Sequence, residues 1–151
     1  MIHTSPQPLI EIPLLSYPAY GLARAVDFGD RAAFIDASTD RTLSYRQLSQ
    51  QVERVAVGFA THGMAKGDVL AICLPNLPEF AVAFYAAASL GAIVTTVNPL
   101  YTPHELGLQL RDANVKYLLT LGQSLVGYQE VVAEADLAEV FVIGDSIAGT
   151  P

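Results

Sequence analysis

Three short segments of this 151-residue chain have the character of loops that could bind an anionic ligand. Each follows an apolar run of strand type and stands just before a helical pattern: Leu74-Pro75-Asn76, Asn98-Pro99-Leu100 and Leu121-Gly122. Open parallel sheets bind ligands outside the carboxyl ends of their strands, and the amides of a helix N-terminus favour negative charge. The prolines also stiffen these turns without any ligand, so the residues alone predict a binding face and no reaction.

The sequence contains none of the common motifs that carry out a reaction. There is no Gly-rich phosphate loop ending in Lys-Ser/Thr, no G-x-G-x-x-G and no G-x-S-x-G elbow. His3, His62 and His104 lack the spacing of metal ligands, and His104, at the second position of a helix, is expected to face solvent. The single cysteine, Cys73, lies in an apolar run typical of a buried thiol. We therefore predict no catalytic residue and no metal site in this chain.

Three charged residues near these segments have structural explanations. Glu79 and Glu105 stand three residues after Asn76 and Thr102, the spacing at which an acidic side chain takes part in capping a helix. Lys116 comes just before a strand and is predicted to be a surface cation, with contact to an anionic ligand as the alternative.

The elements that position the three segments alternate between strand and helix, and four of them follow one another between Gly67 and Leu106. Helical patterns follow Ser44, Asn76 and Thr102 and fill residues 123–135. Such alternation predicts a parallel sheet with helices on both faces, so the predicted fold class is α/β with a mostly parallel sheet; the strand order stays open. The strand patterns are Ala33–Asp36, Arg41–Leu43, Val69–Leu74, Ile93–Val97, Tyr117–Thr120 and Val140–Ile143.

The helix from Leu77 to Leu90 is apolar on all sides, and its residues 77, 80, 81, 84 and 88 form the predicted core stripe. A helix without a polar face is usually buried on more than one side. We therefore expect this helix to meet a partner, either the remainder of a longer protein or another copy of the chain.

Charge and hydropathy restrict the other partners. The formal net charge is −7, and residues 72–151 carry eight acids against two bases. This argues against nucleic acid, which needs clustered cations, and against an anionic membrane surface. Phe80 to Val97 lacks charges, but Gly91 and the β-branched residues after it predict a buried helix followed by a strand rather than a membrane span. Because the first residues do not resemble a signal peptide and cysteine is scarce, the predicted location is the cytoplasm.

A set of ordered motifs runs from Leu43 to Leu106. Its segments are Leu43-Ser44-Tyr45-Arg46-Gln47-Leu48, Gly63-Met64-Ala65-Lys66-Gly67-Asp68-Val69, Leu74-Pro75-Asn76-Leu77-Pro78-Glu79-Phe80, Leu90-Gly91-Ala92, and Asn98-Pro99-Leu100-Tyr101 with Glu105-Leu106. In this order they resemble the early part of acyl-CoA synthetases of the adenylate-forming, or AMP-binding, superfamily. The sequence Asn98-Pro99-Leu100-Tyr101 is most similar to that of fatty-acyl-CoA and 4-coumarate-CoA ligases.

The resemblance implies an N-terminal fragment of an ATP-dependent acyl- or aryl-CoA ligase. Such enzymes use Mg·ATP to convert a carboxylic acid substrate into an acyl-adenylate and then form a thioester with CoA. The family's Ser/Thr/Gly-rich loop ending in Pro-Lys-Gly, which holds ATP, does not occur in this sequence. The resemblance therefore implies ATP, Mg and CoA as cofactors of a full-length enzyme, no tight binding of them by this fragment, and no activity of the fragment alone.

The same resemblance assigns a position to CoA and divides the chain. In the family the loop after the second strand of this unit lies near the CoA nucleotide, which makes Asn98, Pro99 and Leu100 the candidate CoA-adjacent residues. Residues 1–29, with Pro6, Pro8, Pro13 and Pro18, are predicted to form an extended N-terminal arm. Residues 30–151 are predicted to form an α/β subdomain of an incomplete, large N-terminal domain.

Two other functions remain open on the sequence. The chain could be a naturally short module without catalysis that dimerises, or regulates a full-length ligase, through the apolar helix. It could also be a stand-alone small nucleotide binder of flavodoxin-like shape.

Overall fold

The computed structural model describes residue 6 and residues 11–144, so His3 and residues 145–151 lie outside the described part. The strands and helices predicted for residues 30–144 are confirmed, with small differences at their ends. The helices are α1 (Tyr17–Leu22), α2 (Ala25–Phe28), α3 (Tyr45–Thr61), α4 (Pro78–Ser89), α5 (Pro103–Asp112) and α6 (Gly122–Glu134). The strands are β1 (Ala32–Ile35), β2 (Thr42–Ser44), β3 (Val69–Cys73), β4 (Ile93–Thr96), β5 (Tyr117–Leu121) and β6 (Glu139–Ile143).

Four of these strands form a parallel sheet in the order β4-β3-β5-β6, and β1 pairs with β2 as an antiparallel hairpin. Helices α3 and α4 cover one face of the sheet, and α5 and α6 cover the other. The predicted α/β class, with a mostly parallel sheet and helices on both faces, is thus confirmed.

Strand β3 runs through the middle of the core. Leu70 and Ile72 pack in the layer of α3 and α4, whereas Ala71 and Cys73 pack in the layer of α5 and α6. All four side chains are buried. A strand covered on both faces needs an unbroken apolar run, which explains the sequence of this segment.

Local capping signals set the ends of α3 and α5. The Ser44 hydroxyl accepts a hydrogen bond from the Gln47 amide at 3.2 Å, and the Ser44 amide donates to the Gln47 side chain at 2.9 Å. Thr102 and Glu105 form the same reciprocal pair at α5, which confirms the capping role predicted for Glu105. Gly63 follows α3 with a φ of +87°, the left-handed backbone with which glycine commonly ends a helix.

The N-terminal segment departs from the prediction of an extended arm, because residues 17–28 contain α1 and α2. Ser16 accepts a hydrogen bond from the Ala19 amide at 3.3 Å and caps α1. A proline is tolerated in the first helical turn because the N–H group that it lacks would have no partner within the helix there. Tyr17 stacks on Tyr85 of α4, with ring centroids 5.5 Å apart. The segment thus forms short helices, with Tyr17 of α1 packed on α4, rather than an extended arm.

Helix α4 is oriented differently from the prediction. The predicted stripe is wrong, since the buried side chains of the helix include Val82, Ala83, Ala86 and Ala87. These small residues bring the helix close to the sheet, while the larger rings of Phe84 and its neighbours are half-buried at its flank. The helix also begins at Pro78 after an extended Leu77, so Asn76 is not its cap. Among residues 11–144, no helix combines the length and apolar character needed to cross a membrane.

Helices α5 and α6 approach each other at Gly107. A Cβ atom placed on this buried glycine would lie 2.6 Å from Cγ2 of Val131, a stiff β-branched side chain. We expect Gly107→Ala to lower the free energy of unfolding by about 0.5–2 kcal/mol, because overpacking costs about 1–3 kcal/mol and alanine returns about 0.5–1 kcal/mol of helix preference. Urea unfolding followed by circular dichroism measures the change.

The matched control is Gly127→Ala in α6, where nothing lies within 4 Å of the added methyl group. This variant should gain about 0.5–1 kcal/mol. Two changes of the same sign would contradict the close contact between α5 and α6.

Candidate functional site at the carboxyl edge of the sheet

The three loop segments singled out in the sequence lie along one edge of the sheet. Strands β3, β4 and β5 run parallel in adjacent positions, so their carboxyl ends are side by side. The Val97 amide, just after β4, donates to the Ile72 carbonyl of β3 at 2.9 Å. The predicted binding face therefore has the geometry of a ligand site in an open parallel sheet.

The loop after β4, residues 98–101, is a tight turn held by its own asparagine. Asn98 Oδ1 accepts a hydrogen bond from the Leu100 amide at 3.0 Å, and the Asn98 carbonyl accepts one from the Tyr101 amide at 3.0 Å. Asn98 is exposed, Pro99 is half-buried and Leu100 is 87% exposed. An apolar side chain that is held out into solvent by an ordered turn is suited to contact a ligand or another part of a protein.

Tyr128 of α6 contacts this loop from below. Its hydroxyl donates to the Tyr101 carbonyl at 2.8 Å and lies 3.3 Å from the Pro99 carbonyl, while the residue as a whole is buried. Sequence reasoning did not find this contact. The available signal was a tyrosine in the apolar face of a helix, since a buried phenol hydroxyl usually has a hydrogen-bond partner.

The three helices that begin at this edge differ in how their first turns are charged. In α5 the Glu105 carboxylate accepts from the Thr102 amide at 2.8 Å, and the hydrogen bonds from Thr102 lower the pKa of Glu105. In α4, Glu79 pairs with Arg41 at 2.6 Å and does not act as a cap. The first turn of α6 contains no acid, so it is the least negative of these three helix starts.

Polar groups are also buried beneath the edge. Cys73, at the end of β3, is paired in register with Thr120 of β5, and both side chains are buried. Burial raises the pKa of the Cys73 thiol, which keeps it protonated and weakly nucleophilic. Within residues 11–144, the Thr120 hydroxyl has no hydrogen-bond partner of good geometry.

The remaining candidate residues lie away from this edge. Lys116, just before β5, pairs with Asp68 at 3.0 Å at the opposite, amino edge of the sheet. The hydrogen bond to Asp68 raises the pKa of Lys116. Two hydrogen bonds lower the pKa of Asp68: the larger effect comes from the Ala65 amide and the smaller from Lys116. His62 lies 3.2 Å from Glu139, and His104 is exposed. In the described part of the chain, no three His, Cys, Asp or Glu side chains are grouped as a metal site.

The order of the strands and helices agrees with one family of enzymes. Residues 22–147 match the AMP-binding enzyme family. The chain belongs to this family. The resemblance seen in the sequence is therefore confirmed, and the chain corresponds to an N-terminal part of the acyl-CoA ligases in it.

Curated relatives cover nearly all of this chain but are much longer. A 4-coumarate–CoA ligase from Pinus taeda is 37% identical over 143 residues, which are 94% of this chain and 26% of the relative. 4-Coumarate–CoA ligase 3 from Oryza sativa subsp. japonica is 36% identical over 145 residues, 95% of this chain and 26% of the relative. The chain thus spans about a quarter of the length of these relatives.

Solved structures give the same assignment. The inhibitor-bound N-terminal domain of FACL13 from Mycobacterium tuberculosis is 27% identical, with a TM-score of 0.78 over 85% of this chain and 34% of that one. A long-chain-fatty-acid-CoA ligase from Archaeoglobus fulgidus has a TM-score of 0.84 at 23% identity, covering 93% of this chain and 29% of that one. At 23% identity, the match to the Archaeoglobus fulgidus ligase supports the fold alone.

Proposed function

We propose that this chain is the first α/β unit of an ATP-dependent acid–CoA ligase and is inactive by itself. In the complete reaction a carboxylate attacks the α-phosphate of ATP and releases pyrophosphate, and the CoA thiol then displaces AMP from the acyl-adenylate. Membership of the AMP-binding enzyme family over residues 22–147 and the 4-coumarate–CoA ligase activity of the relatives support this proposal. The unit's own contribution is a rigid sheet that holds the loop 98–100 at its carboxyl edge.

The described residues suit a contact with CoA better than they suit ATP or Mg²⁺. The exposed Asn98 amide can donate a hydrogen bond to a nucleotide acceptor, and the exposed Leu100 offers an apolar contact. The Ser/Thr/Gly-rich loop ending in Pro-Lys-Gly, which the family uses to hold ATP, does not occur in this sequence, so we assign ATP, and Mg²⁺ with it, to the remainder of the enzyme. We place that enzyme in the cytoplasm.

The remainder of the same enzyme is the partner that we favour. Large apolar side chains are exposed in the N-terminal segment and on β1, whereas none of those in α4 is exposed. Self-association through the apolar helix, the second candidate partner, would thus have less apolar area available than its sequence predicts. The exposed residues of the N-terminal part are Ile12, Leu14, Leu15, Tyr17, Tyr20, Val26, Phe34 and Ile35.

A chimera tests the proposed function. The 143 matching residues of the Pinus taeda 4-coumarate–CoA ligase would be replaced by those of this chain. We expect the chimera to form 4-coumaroyl-CoA from 4-coumarate, ATP and CoA, whereas the isolated 151-residue chain should release no pyrophosphate. A folded but inactive chimera, or acyl-adenylate formed by the isolated chain, would contradict the proposal.

The loop is tested in the same chimera with Leu100→Asp. A new carboxylate about 4 Å from a CoA phosphate costs about 1 kcal/mol in water, so the KM for CoA should rise about fivefold while ATP–pyrophosphate exchange stays unchanged. Leu108→Asp is the control, because Leu108 is also exposed, at 50%, but lies on α5. Equal effects of both variants on the KM for CoA would show that the loop does not contact CoA.

A further inference from the structure

The loop 98–101 is anchored to helix α6, which follows it in the chain after α5 and β5. Tyr128 is the contact, and its hydroxyl is 2.8 Å from the Tyr101 carbonyl. A hydroxyl has one proton to donate, so the bond to Tyr101 is the principal one and the Pro99 carbonyl at 3.3 Å shares it. One side chain thus holds both ends of the exposed segment at Leu100.

Tyr128 is itself fixed by its surroundings. Its ring is 6% exposed and packs with Cys73, Leu106 and Leu118 in the layer between the sheet and helices α5 and α6. Burial, followed by the neighbouring Cys73, raises the pKa of Tyr128, so its hydroxyl keeps the proton that it donates to the loop. Because the ring sits in a close-packed layer, it has little freedom to follow a loop that moves.

The loop has few other means to keep its shape. Its internal hydrogen bonds all go to Asn98, which is exposed to competing water. Leu100 is 87% exposed and gains little from packing. The buried Tyr128 hydroxyl is therefore the bond best protected from solvent among those that the described residues make to this loop.

We propose that Tyr128 is a positioning residue, which orders the loop Asn98–Tyr101 for CoA without touching CoA itself. The inference rests on the proposed function for its CoA part, whereas its structural part concerns this chain alone. A ligand that meets an ordered loop does not have to pay for ordering it. Removal of the hydroxyl should therefore weaken CoA use and leave the adenylation step unchanged.

The test removes one oxygen, with Tyr128→Phe. In the 151-residue chain, amide hydrogen exchange at Leu100 and Tyr101, followed by NMR, should become about threefold to tenfold faster, the range expected for the loss of one hydrogen bond. Exchange at Leu118 in β5 should not change. In the chimera, the KM for CoA should rise by about the same factor, with the KM for ATP and the rate of ATP–pyrophosphate exchange unchanged.

Tyr117→Phe is the matched control. Tyr117 is also buried, but its hydroxyl lies 3.5 Å from the His62 carbonyl and its ring packs in the layer of α3 and α4. This variant should leave loop exchange and the KM for CoA unchanged.

The outcomes separate the two levels of the inference. Unchanged exchange at Leu100 and Tyr101 in Tyr128→Phe overturns the proposal, and so does an equal loss in adenylation and in CoA use. If exchange is faster but the KM for CoA stays constant, Tyr128 orders the loop without serving CoA, and the proposal fails. If the unmutated chimera makes no thioester, the proposed function fails, while faster exchange still supports the hold of Tyr128 on the loop.

Discussion

Leu106→Ala should lower the free energy of unfolding of this chain by about 2–5 kcal/mol, the usual cost of a leucine deleted from a packed core. Leu106 is fully buried and packs with Cys73, Leu110 and Leu118 between α5 and the sheet. The alanine would leave a cavity in the buried layer between α5 and the sheet. Since small domains have a total stability of only about 5–15 kcal/mol, urea unfolding should show a large shift of the midpoint.

Leu108→Ala is the control for this variant because Leu108 lies in the same helix but is 50% exposed. It loses the same atoms and undergoes the same change in helix propensity, so the difference between the two variants reports on burial. We expect Leu108→Ala to change stability by less than about 1 kcal/mol. Similar losses for both leucines would mean that α5 does not pack on the sheet as described.

Several of the motifs that resemble the family have structural explanations. In the motif that spans Gly63 to Val69, both glycines have left-handed backbones, with φ of +87° and +89°. Gly91 has φ of +75°, and a Cβ there would lie 3.0 Å from the side chain of Lys66. These residues set turns and close contacts at the amino edge of the sheet, so the motifs that contain them specify the fold rather than the chemistry.

The parts of the fold that could be predicted depend on interactions between residues close in the chain. The capping boxes Ser44–Gln47 and Thr102–Glu105 each involve residues three positions apart. The apolar run of β3 likewise contains its own evidence for burial on both faces. Such signals are complete within a short window, which is why the element boundaries agree closely with the structure.

The parts that could not be predicted depend on distant residues. Helix α4 has no polar face to fix its rotation, so only its packing on the sheet and on α3 selects the buried side. The contact of Tyr128 with Tyr101 joins residues 27 positions apart, one in α6 and the other in the loop after β4. The position of the loop 98–100 could be predicted from the strand before it, but the side chain that holds it could not.

Ala86→Asp should leave the chain largely unfolded at neutral pH, which tests the corrected orientation of α4. Ala86 is fully buried in the layer between α4, α3 and the sheet. A buried and unpaired carboxylate costs several kcal/mol even after relaxation, a loss comparable to the total stability of a domain of this size. Circular dichroism and urea unfolding measure the result.

Two variants of the same helix make the test specific. Ser89→Asp adds the same charge at an exposed position, and it should cost less than about 1 kcal/mol from the unfavourable helix dipole. Ala88→Asp replaces a residue of the stripe predicted from sequence, which is only half-buried, so its effect should fall between the other two. A larger loss at Ala88 than at Ala86 would instead support the stripe predicted from sequence.

The pH dependence of the stability of Ala86→Asp is an independent test of whether the new carboxylate is buried. Burial raises the pKa of a carboxyl group in the folded state above its value in the unfolded chain. As the pH falls, the folded state of the variant therefore takes up a proton before its unfolded state does. Acidification should thus narrow the stability gap between Ala86→Asp and the unmutated chain. Ser89→Asp should show no such narrowing, because water solvates its carboxylate in both states. A gap at Ala86 that stays constant with pH would mean that the new carboxylate has reached solvent, and that α4 packs less tightly on the sheet than its small side chains allow.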